Sequence, residues 1–207
     1  MTAIGSALRF EASNGLTVAI SDVPDLVGIE EIGAILPSPT VAIIARLTEG
    51  REGDVVLSVS SSRVSLQMGD IVLSSKLIDG SYPDIQRAIP KNTPNTLTVD
   101  ADALAEAVKR VSGASDDKIP SVSLSITAAA IAIMSRGSDG EEGTDEIECE
   151  YDGPEIAFKL TTEYVLSAIA SINEDQVVAN IGGPRDGQIW RGVASDRTMC
   201  LLMPRLA

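Results

Sequence analysis

The chain has 207 residues, 44% of them hydrophobic but only 3% aromatic, so Val, Ile, Leu and Ala must build whatever core one large or two small domains would bury. It contains no histidine, which removes the commonest general base, the usual Ser-His and Cys-His nucleophile pairs and the commonest metal ligand. No carboxylate spacing suggests metal-free hydrolysis either, so the composition points away from an enzyme, and no cofactor or metal is expected. The net charge of −14 argues against a partner held by phosphate neutralisation.

In chain order, Ala7–Ala12 and Leu16–Ser21 flank Ser13-Asn14-Gly15, a hairpin signal. Thr40–Leu47 has helical spacing, but β-branched Val41, Ile43 and Ile44 suit a strand equally well. Asp54–Ser60, Arg63–Met68 and Ile71–Leu77 read as a meander joined by Ser-Ser and Gly-Asp turns. Asp102–Ser112 reads as an amphipathic helix with Leu104, Val108 and Val111 on one stripe and Glu106, Lys109 and Arg110 off it.

Strands are predicted at Ser121–Thr127, Ala130–Ser135, Glu146–Glu150 and Ile156–Leu160. Thr162–Ile172 then carries Val165, Leu166, Ile169 and Ile172 at helical spacing behind Thr161 or Thr162 as an N-cap. Val177–Ile181, Gln188–Val193 and Met199–Met203 complete the strands.

The nine acidic residues between Asp139 and Glu155, with no Lys or Arg among them, soften the charge argument. They read as a solvated loop and strand edge. Cys149 and Cys200 form no CxxC motif and read as small buried hydrophobes in a reduced, cytoplasmic setting. No apolar run approaches the ~18 residues needed to span a bilayer, the start shows no signal-peptide pattern, and no membrane partner is expected.

A faint repeat is visible: a helix candidate, an Asp followed by Val-Val, and a meander ending in Pro occur at Val41–Pro90 and again at Val165–Pro204. The expected fold is therefore α+β, with antiparallel sheets and helices on opposite faces of two related domains, 1–93 and 94–207. Thr96–Ser112 has no counterpart in the first copy, which reads as lacking its first strand and helix.

One stretch is more specific than any of these patterns. Lys76-Leu77-Ile78-Asp79-Gly80-Ser81-Tyr82-Pro83-Asp84, closing on Ile89-Pro90, resembles the end of the middle domain of the bacterial DNA polymerase III beta subunit, the sliding clamp family. Glu163–Ile169 and Leu201-Leu202-Met203-Pro204-Arg205-Leu206 resemble that family's last helix and C-terminal tail. The resemblance implies helices lining the inside of a ring, sheets outside, and no catalysis. It also implies a replication processivity factor that encircles duplex DNA without reading sequence and assembles with itself. Polymerase and clamp-loader subunits would then dock through short linear peptides.

Carried over by position, Leu26, Pro90, Tyr164, Leu201, Met203, Pro204 and Arg205 would line the peptide pocket. Arg46, Lys109 and Arg110, on helix candidates, would face DNA phosphates. Where the family has Thr-Asp-Gly-His-Arg-Leu, this chain has Ser21-Asp22-Val23-Pro24-Asp25-Leu26, so an acid replaces a base on the pocket rim. The length accommodates two of the family's three domains. A fragment or truncated gene is the favoured expectation, ahead of a shortened clamp closing with more copies or a relative that does not encircle DNA. The competing reading is a self-associating β-rich structural protein of a virion or other assembly, distinguishable by open-ended polymers instead of a defined ring.

Overall fold

The computed structural model describes residues 1–26 and 33–205 of the chain. Two compact units divide them: Met1–Phe10 with Asp22–Asp84, and Glu11–Ser21 with Ile85–Ala207. The fold is α+β, with antiparallel sheets and three α-helices among the described residues. No helix there is long and apolar enough to cross a membrane.

The smaller unit contains β1 (Thr2–Ile4) and most of its neighbour β2 (Ala7–Ser13). The following strand, β3 (Thr17–Val23), ends in it. Then come α1 (Ser38–Thr48) and the meander β4 (Val56–Val59), β5 (Arg63–Met68) and β6 (Ile71–Lys76). The choice at Val41–Ile44 falls to helix. Pro37 caps it in extended conformation, and Pro39 sits in the first turn, where a missing N–H costs no hydrogen bond. Within the meander Leu57, Leu66 and Leu73 lie opposite one another, and Val64 and Leu66 are buried. That period-2 alternation gives the sheet its apolar face. Met1, Leu8 and Ala34 form a separate small cluster with Leu26, Leu36 and Leu57 at its margin.

After Glu11–Ser21, the larger unit resumes with a short 3-10 turn at Ile85–Ala88, followed by β7 (Asn95–Asp100) and α2 (Ala101–Ser112). Asp100 caps α2 by accepting from the Ala103 N–H at 2.8 Å, a polar stop that places the helix start one residue earlier than its periodicity suggests. The strands β8 (Ser121–Ile126), β9 (Ala130–Arg136), β10 (Glu142–Glu148), β11 (Glu150–Tyr151) and β12 (Ile156–Thr161) follow. Next come α3 (Thr162–Ile172), β13 (Gln176–Ile181), β14 (Gln188–Gly192) and β15 (Thr198–Leu202). Thr161 is the N-cap of α3, but its side chain makes no capping bond.

One sheet of this unit runs β3-β15-β14-β13-β7-β11, and the other runs β10-β9-β8-β12. The acidic stretch differs from its expected single strand over 146–150. β10 starts four residues earlier and forms an edge of the second sheet, with Glu142, Glu146 and Glu148 exposed. The chain then switches sheets, and β11 pairs with β7. The alternate residues Gly143, Asp145 and Ile147 turn away from solvent, and α2 packs over this strand. Inward Ile147 and small Gly143 explain why so acidic a segment can be a strand at all.

Apolar side chains from both sheets meet α2 and α3 in one continuous core around Trp190, Leu97, Leu104, Leu124 and Leu160, all essentially buried. Helix α2 packs directly against α3. The order α1-β4-β5-β6 recurs as α3-β13-β14-β15, the repeat visible in sequence.

Candidate functional site: a hairpin tip beside the last helix and the tail

Alternation along β15 puts Leu201 (1% exposed) into a cluster with Val18, Ile20, Ile85, Ile189 and Met199. The opposite face of the strand, Cys200 and Leu202, joins the main core under α3. β15 pairs with β3, so Leu202 lies opposite Thr17 and the strand's end reaches the β2–β3 turn. Just past it, the Met203 N–H donates to the Leu16 carbonyl at 3.2 Å.

From the other side, Tyr164 in the first turn of α3 is half-buried and accepts a hydrogen bond from Asn14 Nδ2 at 3.2 Å. The tip of one hairpin thus touches both Tyr164 and Met203. The turn depends on Gly15 at φ +86°, a left-handed conformation that costs glycine least.

Gly187 shapes the same corner by close approach. A Cβ there would lie 2.8 Å from Leu201 Cδ1 and 3.0 Å from Met203 Sδ, so a larger residue would push these two side-chain ends aside. Beside Tyr164 a small hollow of about 70 Å³ is lined by Thr17, Ser167, Ser171, Cys200 and Leu202. Burial pushes the Cys200 thiol up to about 11. Both cysteines are free.

The remaining expected pocket residues do not all belong to this corner. Pro204 is half-buried. Arg205 is exposed but held, its N–H donating to the Lys159 carbonyl at 2.8 Å and Nη1 to the Ile119 carbonyl at 2.9 Å. Pro90 is half-buried behind the 3-10 turn of the larger unit, next to Ile89, which packs on the Leu201 cluster. Leu26 belongs to the smaller unit, packs at the margin of the Met1–Leu8 cluster, and its N–H donates to the Ser6 carbonyl. Leu206, part of the family-like tail, lies outside the described residues.

The changed rim sequence has its own structure. Asp22 takes Arg9 in a two-pronged contact, both N–O distances 2.7 Å, and the guanidinium holds its carboxyl below the usual carboxylate range. Asp25 adopts φ +59°.

The three cations expected at DNA differ in availability. Arg46 is exposed in the last turn of α1, and Lys109 is exposed on α2. Arg110 is exposed too, but its guanidinium contacts Asp145 at 2.7 and 2.9 Å and Glu106 at 3.5 Å. The Asp145 hydrogen bond lowers that carboxyl's pKa and raises that of Arg110. Sequence spacing could show Glu106, one turn away, but not Asp145 on β10.

A cavity of about 510 Å³ lies in the smaller unit between Met1, Ala34, Ser62, Ile78, Asp79 and Tyr82, and none of the expected site residues lines it. No group of three His, Cys, Asp or Glu able to hold a metal occurs among the described residues. Asn14, Leu16 and Gly187 also belong to this candidate corner, and sequence reasoning missed them. Ser13-Asn14-Gly15 was legible only as a turn, because its contact with Tyr164 spans 150 residues of chain.

A fold with two repeated α+β units and this tail-to-helix corner defines a clamp-type protein. Residues 2–84 match the central-domain model, and residues 86–205 the C-terminal-domain model, of the DNA polymerase III beta subunit. The chain belongs to that family, the beta sliding clamps of DNA replication, which is non-catalytic. It is 33% identical over 198 residues to the beta sliding clamp of Caulobacter vibrioides, covering 95% of this chain and 53% of that protein.

Among solved structures, Caulobacter crescentus pol III beta matches with a TM-score of 0.87 at 30% identity, over 100% of this chain and 57% of that one. The Pseudomonas aeruginosa sliding clamp bound to griselimycin matches in fold, with a TM-score of 0.92 at 22% identity, over 100% of this chain and 56% of that one. The chain thus spans about half the length of the curated relatives it matches.

Proposed function

We propose that this chain serves as part of a sliding clamp that rides on duplex DNA and holds replication enzymes by their peptide tails. A sliding tether needs contacts that are weak, redundant and indifferent to sequence, and exposed cations on helices at the phosphates meet that need. Arg46 and Lys109 suit this role. Arg110 would first have to give up Asp145, so it ranks below them. The near absence of aromatic residues speaks for duplex over single-stranded DNA, where stacking would be wanted. Closure around DNA would need further copies or further clamp domains, in a reduced, cytoplasmic setting.

The observation that carries the peptide half of this reading is the hairpin tip that contacts Tyr164 through Asn14 and Met203 through Leu16. Tyr164, Leu16 and Met203 offer apolar surface at this corner. Leu201 and Gly187 support the corner from beneath, and a flexible thioether can adapt to different peptides. The binding partners are polymerase and clamp-loader subunits presenting short linear motifs.

The test is a fluorescein-labelled peptide with Gln at its start and Leu-Phe near its end, titrated with the protein and read by anisotropy. Saturable binding is expected, lost on Tyr164→Ala and on deletion of Met203–Ala207. No binding at hundreds of micromolar would remove the peptide assignment.

A further inference from the structure

Asn14 is the most heavily used polar side chain at the hairpin tip, and the backbone fixes its orientation. Oδ1 accepts from the N–H groups of Leu16 and Thr17, each at 2.9 Å. Backbone N–H groups can only donate, so the amide oxygen must face them and the amide nitrogen must point away. That nitrogen meets the Tyr164 oxygen at 3.2 Å. An amide nitrogen also only donates, so the phenol oxygen is the acceptor and its own proton is not used in this contact. Among the described residues the Tyr164 hydroxyl makes no other hydrogen bond.

The turn alone does not explain the choice of residue. Asp would close it equally well through its own side-chain oxygen. Only Asn closes the turn and also offers a donor to a residue 150 positions away.

We propose that Asn14 is a positioning residue of the peptide groove. It holds the Tyr164 oxygen as an acceptor and leaves the phenolic proton free to be donated to a ligand. The group recognised there is a carbonyl or side-chain amide oxygen of a bound peptide. The apolar part of the peptide lies beside Leu16 (57% exposed) and Met203 (38% exposed), whose backbone groups already satisfy each other. This assignment rests on the peptide-groove reading above.

Asn14→Asp is the discriminating variant. It keeps the oxygen that closes the turn but places an acceptor where the donor was, so the Tyr164 proton turns inward to the carboxylate. Tyr164→Phe keeps the ring and the hairpin and removes the hydroxyl. With the same labelled peptide, Asn14→Asp should weaken binding roughly five-fold, about the worth of one hydrogen bond. Tyr164→Phe should do the same, and the double variant should be no weaker than either single one. An unchanged melting temperature for Asn14→Asp shows the turn intact, and if it falls the Tyr164→Phe arm decides alone.

Wild-type affinity in either single variant, or additive losses in the double, overturns the role of Asn14 and leaves the groove standing. A wild-type protein that binds no peptide overturns both.

Discussion

Helices α1 and α3 occupy the same place in the repeat, each followed by a three-stranded meander, yet they are held differently. α3 buries Thr162, Val165, Ala168, Ile169 and Ile172. α1 buries only Thr40 and leaves Val41 and Ile43 47% and 44% exposed. In the larger unit α2 packs against α3, and β7 extends the sheet beside β13. Among the described residues of the smaller unit nothing takes the place of α2.

In that unit polar ties stand where apolar packing stands in the other. The Thr40 hydroxyl meets Ser75 Oγ at 2.7 Å, and Arg9 grips Asp22. An apolar pattern at helical spacing is thus enough to choose a helix, while its burial depends on a covering element encoded elsewhere.

The largest expected effect tests this contrast with one substitution made twice. Ile169→Ala should cost about 3 kcal/mol in denaturant unfolding, as buried Ile→Ala changes do. Ile43→Ala should stay within about 0.5 kcal/mol, since it removes exposed surface and puts a better helix former in its place. Equal losses would mean that α1 is covered in solution.

A smaller effect probes the better-packed unit at its weak point. The Gln188 side chain is fully buried, and neither its oxygen nor its nitrogen finds a hydrogen-bond partner among the described residues. Gln188→Met, close in volume and free of the desolvation cost, should stabilise by about 1–2 kcal/mol and raise the melting temperature. A drop in melting temperature would show that the amide is satisfied after all.

The smallest effect belongs to the smaller unit. The folded pKa of Asp22 lies below its usual value, so its contribution is present above the unfolded carboxylate range, near 3.8, and disappears as the pH falls through the lower folded value. Asp22→Asn should therefore cost less than about 1 kcal/mol at neutral pH, the pair being partly exposed, and should flatten the acid limb of the stability curve below about pH 4. Parallel acid limbs for the two proteins would show that the pair contributes nothing.

Much of the fold was legible where the local pattern and the final environment agree. The limits of α3 and of β5 coincide with the predicted ones because core-facing residues occupy every expected position. The ambiguity at Val41–Ile44 was real in the chain, since β-branched residues fit both structures and the prolines at 37 and 39 decide.

The switch of the acidic segment from one sheet to another could not be seen, because it rests on β11 pairing with β7, about fifty residues earlier in the chain. The same distance problem hid the Arg110–Asp145 contact and the Asn14–Tyr164 bond. Tyr164 and Met203 could be named only through family resemblance, since their residue types at those positions read equally well as ordinary packing.

The exposed glutamates along β10 line the open margin of a four-stranded sheet, where backbone groups could recruit another chain. Two such margins meeting would set like charges against each other, so a twin of this strand is the one neighbour it repels most. The like charges thus guard this border against pairing with its own copy, a protection written into the alternate residues of a single strand.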